Sequence, residues 1–152
     1  MLQASLKQQK RLKKKFALAA LLLLAMAATQ TLTPAQNKQI EDIARQIAAN
    51  TNAGINADTV AQGGPHRAES QGKNVTFVHF MKLRPNVSQE AIDGWQRETE
   101  KEILPGACAV NKDNPAFSRG LSYTFSYRTR DEKQLMSVYV DRAKCREKGL
   151  IQ

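Results

Sequence analysis

The sequence predicts an α+β domain: a mostly antiparallel four-stranded sheet with two main helices packed on one face and one disulfide. Three observations predict it. Two segments carry apolar residues at helical spacing, Ile40-Ile43-Ala44-Ile47 and Ile92-Trp95-Thr99-Ile103. Three segments, 74–84, 121–128 and 134–140, are built of β-branched and aromatic residues, with period-two alternation clearest in the last two. The order helix, strand, strand, helix, strand, strand is that of an α+β layer pair.

The first thirty residues stand outside this pattern. "MLQASLKQQKRLKKK" holds Lys7, Lys10, Arg11, Lys13, Lys14 and Lys15 and no acid, and the 13-residue run Phe16–Ala28 carries no charge. A basic stretch before a short apolar run is the layout of a secretory signal. The run is short for a spanning helix, which needs about 20 residues. Ala25-Met26-Ala27 supplies small-x-small, so cleavage is expected after Ala27, and residues 1–27 form a signal peptide. The rival reading is a short N-terminal anchor with its basic end in the cytoplasm. No cysteine lies near the cleavage site to carry acyl chains, so no lipidation is expected.

Removing this segment changes the charge argument. The whole chain carries +9, but six of its 23 Lys and Arg and none of its 14 acids precede Ala28. From Ala28 onward 17 basic residues face 14 acidic ones, a net of +3. A value this small is ordinary for a soluble domain and argues against a nucleic-acid partner. Membrane contact is expected only through residues 1–28.

Residues 28–33 form a polar lead, and 34–152 are read as a single domain. Thr33, Pro34 and Gln36 begin a helix over 34–50 by capping box and first-turn proline. "GINADTVAQGG" (54–64) reads as a weak strand with Ile55 and Val60, and "GGPHRAESQGK" as a loop. In "NVTFVHFMKLR" Val75, Phe77, His79, Met81 and Leu83 face one way and Thr76, Val78, Phe80 and Lys82 the other. Both faces are largely apolar, so this strand belongs in the sheet centre. Ser88 caps a helix over 88–104, which Pro105-Gly106 is expected to end just before Cys108. "NPAFSRG" (114–120) holds a helical turn. Leu121, Tyr123, Phe125 and Tyr127 form the packed face of the next strand; Ser122, Thr124, Ser126 and Arg128 form its wet face. "TRDEK" turns the chain into 134–140, with Met136, Val138 and Val140 inward.

Three uses compete for Cys108 and Cys145. A zinc site could add His66 and His79, but no two ligands form a close pair. A catalytic thiol needs a base that the sequence does not place. A disulfide suits an exported chain with an even cysteine count. It would tie the second helix to the exit of the last strand. Asn74-Val75-Thr76 and Asn86-Val87-Ser88 match a glycosylation sequon, but they sit at a strand entry and a helix cap. Trp95, Tyr123 and Tyr127 are candidate partner contacts. No catalytic residue, metal ligand or cofactor is assigned, since neither GxSxG, HExxH, a Walker loop nor GxGxxG occurs.

A helix leading to a cysteine, a helical turn, "GLSYTFSYR", a charged turn, "LMSVYV" and a second cysteine at "AKC" together resemble the small disulfide-linked pilotins of type II secretion systems. The likeness covers about residues 90–145 and looser support begins at 74. It implies a sheet flanked by helices, a Cys108–Cys145 bridge, and a periplasmic protein that binds a helical tail of a secretin. Pilotins travel as lipoproteins, and this chain lacks the lipid-bearing cysteine. The sequence thus points to an exported periplasmic protein-binding module, not an enzyme, whose partner is another envelope protein presenting an amphipathic helical segment. It would serve a secretion, pilus or conjugation system. A periplasmic inhibitor or immunity protein and a hydrolase are the rivals.

Overall fold

The computed structural model describes residues 31–83 and 86–152. The signal-peptide reading, its cleavage point and the first half of the polar lead (28–30) fall outside the described residues, as does Pro85, the expected stop of the strand over 74–84. Leu32–Gln152 form one compact unit.

Helix α1 (Pro34–Gly54) starts as the sequence indicates. The Thr33 N–H donates to Gln36 Oε1 at 2.8 Å, and Thr33 Oγ1 accepts from Gln36 N at 3.2 Å. Its buried stripe is Ile40, Ala44 and Ala48. The helix runs one turn past the expected end at Asn50.

The stretch 54–64 is a correction. It forms a short helix, α2 (Ala57–Ala61), not a strand. Asn56 and Thr59 cap each other, side chain to backbone, at 2.9 Å in both directions. This reciprocal cap outweighs the weak β preference of Ile55 and Val60. The first strand, β1 (Arg67–Gln71), instead lies in the segment read as loop. It is polar, and its support comes from neighbours. The Asn52 side chain donates to Ala68 O at 2.8 Å and accepts from Ala68 N at 2.7 Å. Asn52 thereby acts as a one-residue strand partner along the outer edge of β1. A two-residue turn at Gly72-Lys73, with Gly72 at φ +55°, leads into β2 (Asn74–Phe80).

Helix α3 (Gln89–Asn111) is the second correction. It passes through Pro105 and contains Cys108. Pro105 is exposed, so its missing N–H leaves only a solvent-side carbonyl unpaired, while Thr99, Leu104 and Cys108 continue the buried stripe. Helix α4 (Pro115–Ser118) is the expected turn, with Asn114 as its cap. Strands β3 (Ser122–Arg128) and β4 (Gln134–Val140) flank a five-residue loop. A last helix, α5 (Arg142–Glu147), is capped by Asp141 and holds Cys145. Nothing in the sequence reading anticipated it.

The sheet order is β1-β2-β3-β4. The outer pairs are antiparallel and the central β2–β3 pair is parallel. The sheet is thus mixed but mostly antiparallel, and β2 is central as expected. A parallel pair needs a long crossover, which α3 and α4 supply. Val75 and Val78 are both fully buried, one on each face of β2. The main core lies between one face of the sheet and the two long helices, around Ile40, Val75, Phe117, Leu121, Val138 and Val140.

The opposite face is not the wet surface the alternation suggests. Ser122 and Ser126 are only 5% and 2% exposed. Ser126 lies opposite Val78, itself opposite Arg67. Arg128 Nε donates to Ser126 Oγ at 3.1 Å. Ser122 Oγ and Thr124 Oγ1 donate to Asn74 Oδ1 at 3.1 and 3.2 Å. Asn74 Nδ2 in turn donates to Thr76 Oγ1. These bonds give the Asn74-x-Thr76 pattern a structural role.

A groove between the two long helices

Helix α1 packs on β1 and β2, and α3 packs on β4. The two helices therefore stand apart over the middle of the sheet. Between them runs a groove of about 400 Å³. Its floor is Phe77 of β2 with Tyr123 and Phe125 of β3. Ile47 forms one wall; Ile103, Ala107 and Val110 form the other.

The floor is aromatic because period-two alternation places Phe77, Tyr123 and Phe125 on the helix-facing side of adjacent strands. Phe77 and Phe125 are directly opposite in register, with ring centroids 5.4 Å apart. Phe77 stacks on Tyr123 at 6.1 Å, and Tyr123 on Phe117 at 6.1 Å. The Tyr123 hydroxyl donates to Asn111 Oδ1 at 3.1 Å. Asn111 Nδ2 donates to Ala107 O. Burial pushes the Tyr123 phenol pKa up, so it remains a neutral donor and gives the groove one polar end. On the rim, Val110 is 83% exposed, an unusual setting for a β-branched aliphatic beside an apolar furrow.

Of the three candidate contacts, only Tyr123 lines this groove. Tyr127 lies four residues further along β3, roughly 13 Å at strand rise. There Tyr127 stacks on His79 at 4.9 Å, and Trp95 meets Tyr127 edge-on at 5.4 Å. Trp95 and Tyr127 thus form a second aromatic cluster on the same sheet face. His79 is half-buried, and its Nε2 is buried without a hydrogen-bond partner among the described residues. Burial, and then the nearby His66, hold its pKa below the ordinary imidazole value. His66 Nδ1 accepts from Phe80 N at 3.1 Å. Sequence reasoning missed Phe77, Phe125, Ala107 and Val110 as a set. Their shared face was legible, but the spacing of α1 and α3 was not.

The two cysteines are bonded, Cys108 to Cys145, with an S–S distance of 1.99 Å and both residues buried. Neither sulfur is free to ligate a metal or to attack a substrate. The bond joins α3 to α5 within the stretch of α3 that walls the groove. Among the described residues no helix is long and apolar enough to cross a membrane.

No protein-family model matches the chain, and no curated protein matches it. Solved structures do. One is a Pseudomonas aeruginosa protein thought to be secreted, with a TM-score of 0.50 and 10% identity, over 76% of this chain and 99% of that one. Another is the type 2 secretion system pilotin of Vibrio vulnificus, with a TM-score of 0.49 and 18% identity, over 74% and 97%. A third is the type II secretion system pilotin of Vibrio cholerae, with a TM-score of 0.40 and 17% identity, over 72% and 95%. The first likeness shows a shared fold. The pilotin resemblance read from the sequence has these two counterparts among solved structures.

Proposed function

We propose that this protein is an exported protein-binding module whose α1–α3 groove receives an amphipathic helical segment of another envelope protein, as an accessory of a secretion, pilus or conjugation system. The groove carries this reading. An apolar furrow bounded by two helices accepts the apolar face of a third, its anchors spaced at i, i+3 and i+4. The floor offers the half-buried rings of Phe77 and Phe125, with Tyr123 buried beside them, and aromatic residues dominate the energetics of such contacts. Exposed Val110 carries the apolar wall up to the rim of the groove. Tyr123 and Asn111 add one polar pair to set the register of the guest.

The envelope setting is supported by the N-terminal pattern, by the disulfide, and by the pilotin resemblance of residues 90–145. Hydrolysis has less support. Among the described residues neither histidine hydrogen-bonds to a carboxylate, and the groove contains no histidine.

The test is a photo-crosslinking amino acid placed at Val110, with one at Gln71 on the far edge strand as control. The expected result is a single envelope partner captured at Val110 and not at Gln71, with the crosslinked peptide falling in an amphipathic helical segment. Capture of the same partners at both positions, or crosslinks only to loop segments, overturns the reading.

A further inference from the structure

A second concavity lies on the other side of α3. It holds about 380 Å³ between α3 and the segment after α5, and is lined by Arg97, Glu100, Lys101, Leu104, Pro105, Lys148 and Leu150. Four of these seven residues are charged, yet the lining is mostly carbon. Lysine and arginine carry aliphatic stems that suit such a wall while the charged heads stay in water. Pro105, exposed on α3, and Leu150, an exposed leucine, complete the apolar surface.

Three cations, Arg97, Lys101 and Lys148, line the cleft against one carboxylate. Glu100, the one carboxylate, is taken by Lys144 at 2.8 Å, and Lys101 pairs with Glu98 at 2.8 Å. Among the described residues no ion pair holds Arg97 or Lys148. A carbon-lined furrow bordered by two cations outside any ion pair complements a molecule with one anionic head and an apolar tail, although Arg97 also borders a polar hollow with Asp93 and Glu100. At ~30 Å³ per water-sized unit, the volume holds roughly a dozen such units, the scale of a medium-length alkyl chain.

We propose that this cleft binds a free fatty carboxylate, its chain laid along Leu104, Pro105 and Leu150 and its head held by Arg97 and Lys148. Arg97 offers the planar fork that meets a carboxylate with two parallel hydrogen bonds. Lys148 adds a mobile point charge. The site is separate from the α1–α3 groove and does not depend on the helix-binding reading.

The probe is a diazirine-bearing dodecanoate, used below its micelle concentration on the full chain with its disulfide intact. The label is mapped by peptide mass spectrometry, so attachment to the apolar run 16–28 is counted separately. The expected labels fall within 97–105 and 148–150. Dodecanoate should compete. Acetate, a head without a tail, and dodecyltrimethylammonium, a tail with the opposite head, should not. Arg97→Gln with Lys148→Gln should weaken labelling at least about tenfold, the loss expected for removing charge-assisted hydrogen bonds. Leu150→Asp, which spares both cations, should weaken it too. Labels confined to other residues, equal competition by the cationic amphiphile, or unchanged labelling of the folded double variant overturns the proposal.

Discussion

Glu132 sits at the tip of the β3–β4 hairpin with φ +66°, a left-handed backbone that a non-glycine residue rarely adopts. Its carboxylate explains the position. Oε1 and Oε2 accept from Arg67 Nη1 and Nη2 at 2.6 and 2.9 Å, and Oε2 also accepts from Arg128 Nη1 at 3.1 Å. A residue 65 positions away in sequence is thereby clamped to the hairpin across the open face of the sheet. The Arg67 guanidinium, then Arg128, hold the Glu132 carboxyl down at about 2. A carboxylate depressed on folding stabilises the fold above its unfolded pKa, near 4.5, and loses that contribution as pH falls towards 2. Glu132→Gln should therefore melt below the wild type at pH 7, and the gap in Tm should narrow steadily between pH 5 and pH 3. A gap independent of pH would assign the effect to altered hydrogen bonding by the amide and not to the charge.

His79 gives the opposite chemistry with the same sign. Its imidazole is held neutral by burial against Tyr127, so the unfolded chain takes up a proton first as pH falls. Stability is full above the unfolded pKa near 6.5 and declines as pH drops through it. His79→Phe keeps a ring on Tyr127 and removes the titration. Denaturant unfolding should show wild type losing stability between pH 7.5 and 5.5, and the variant holding steady over that interval.

At the element scale, Asn52 shows how a polar strand persists at a sheet edge. Its amide takes both backbone groups of Ala68, so Asn52→Ala leaves one donor and one acceptor unpaired. The cost should be about 1–3 kcal/mol, measured by urea unfolding, with faster amide exchange at Ala68. This contact also marks where sequence reading stops. Helix α1 was legible because Thr33, Pro34 and Gln36 announce it locally. Strand β2 was legible from its run of β-branched and aromatic residues and the β3–β4 hairpin from its alternation, and both signals are local. Strand β1 was not, since RAESQ owes its state to a side chain sixteen residues back and to its pairing with β2. Pro105 misled for the same reason. Whether a proline ends a helix depends on which side of the helix faces water, and that is a tertiary fact. The groove floor was half legible: Tyr123 and Phe125 share a face in any strand, but their pairing with Phe77 required a parallel register.

At the scale of the whole molecule, the Cys108–Cys145 bond closes a loop with a sequence separation of 37 residues. In the chain-entropy view such a loop is worth about 3–4 kcal/mol. It joins the two helices that follow β2 and β4, and so fixes α3 against the end of the sheet. Replacing both cysteines by Ala should lower the urea-unfolding free energy by about that amount while leaving far-UV circular dichroism near native. A change under about 1 kcal/mol would show that packing of α3, not the covalent link, secures the wall of the groove.

The parallel pair at the sheet centre also sets an order of events. Asn74 meets Ser122, its neighbour in register and its hydrogen-bond partner across 48 positions. Until that later stretch is present, β2 has a partner on one flank alone, and Val75 lacks the opposing Tyr123. Non-local pairing of this kind is slow to nucleate. A nascent chain emerging N-terminus first thus stays unfinished through α3, open and pliable for most of its length, and acquires its centre only when β3, in the last fifth of the sequence, arrives.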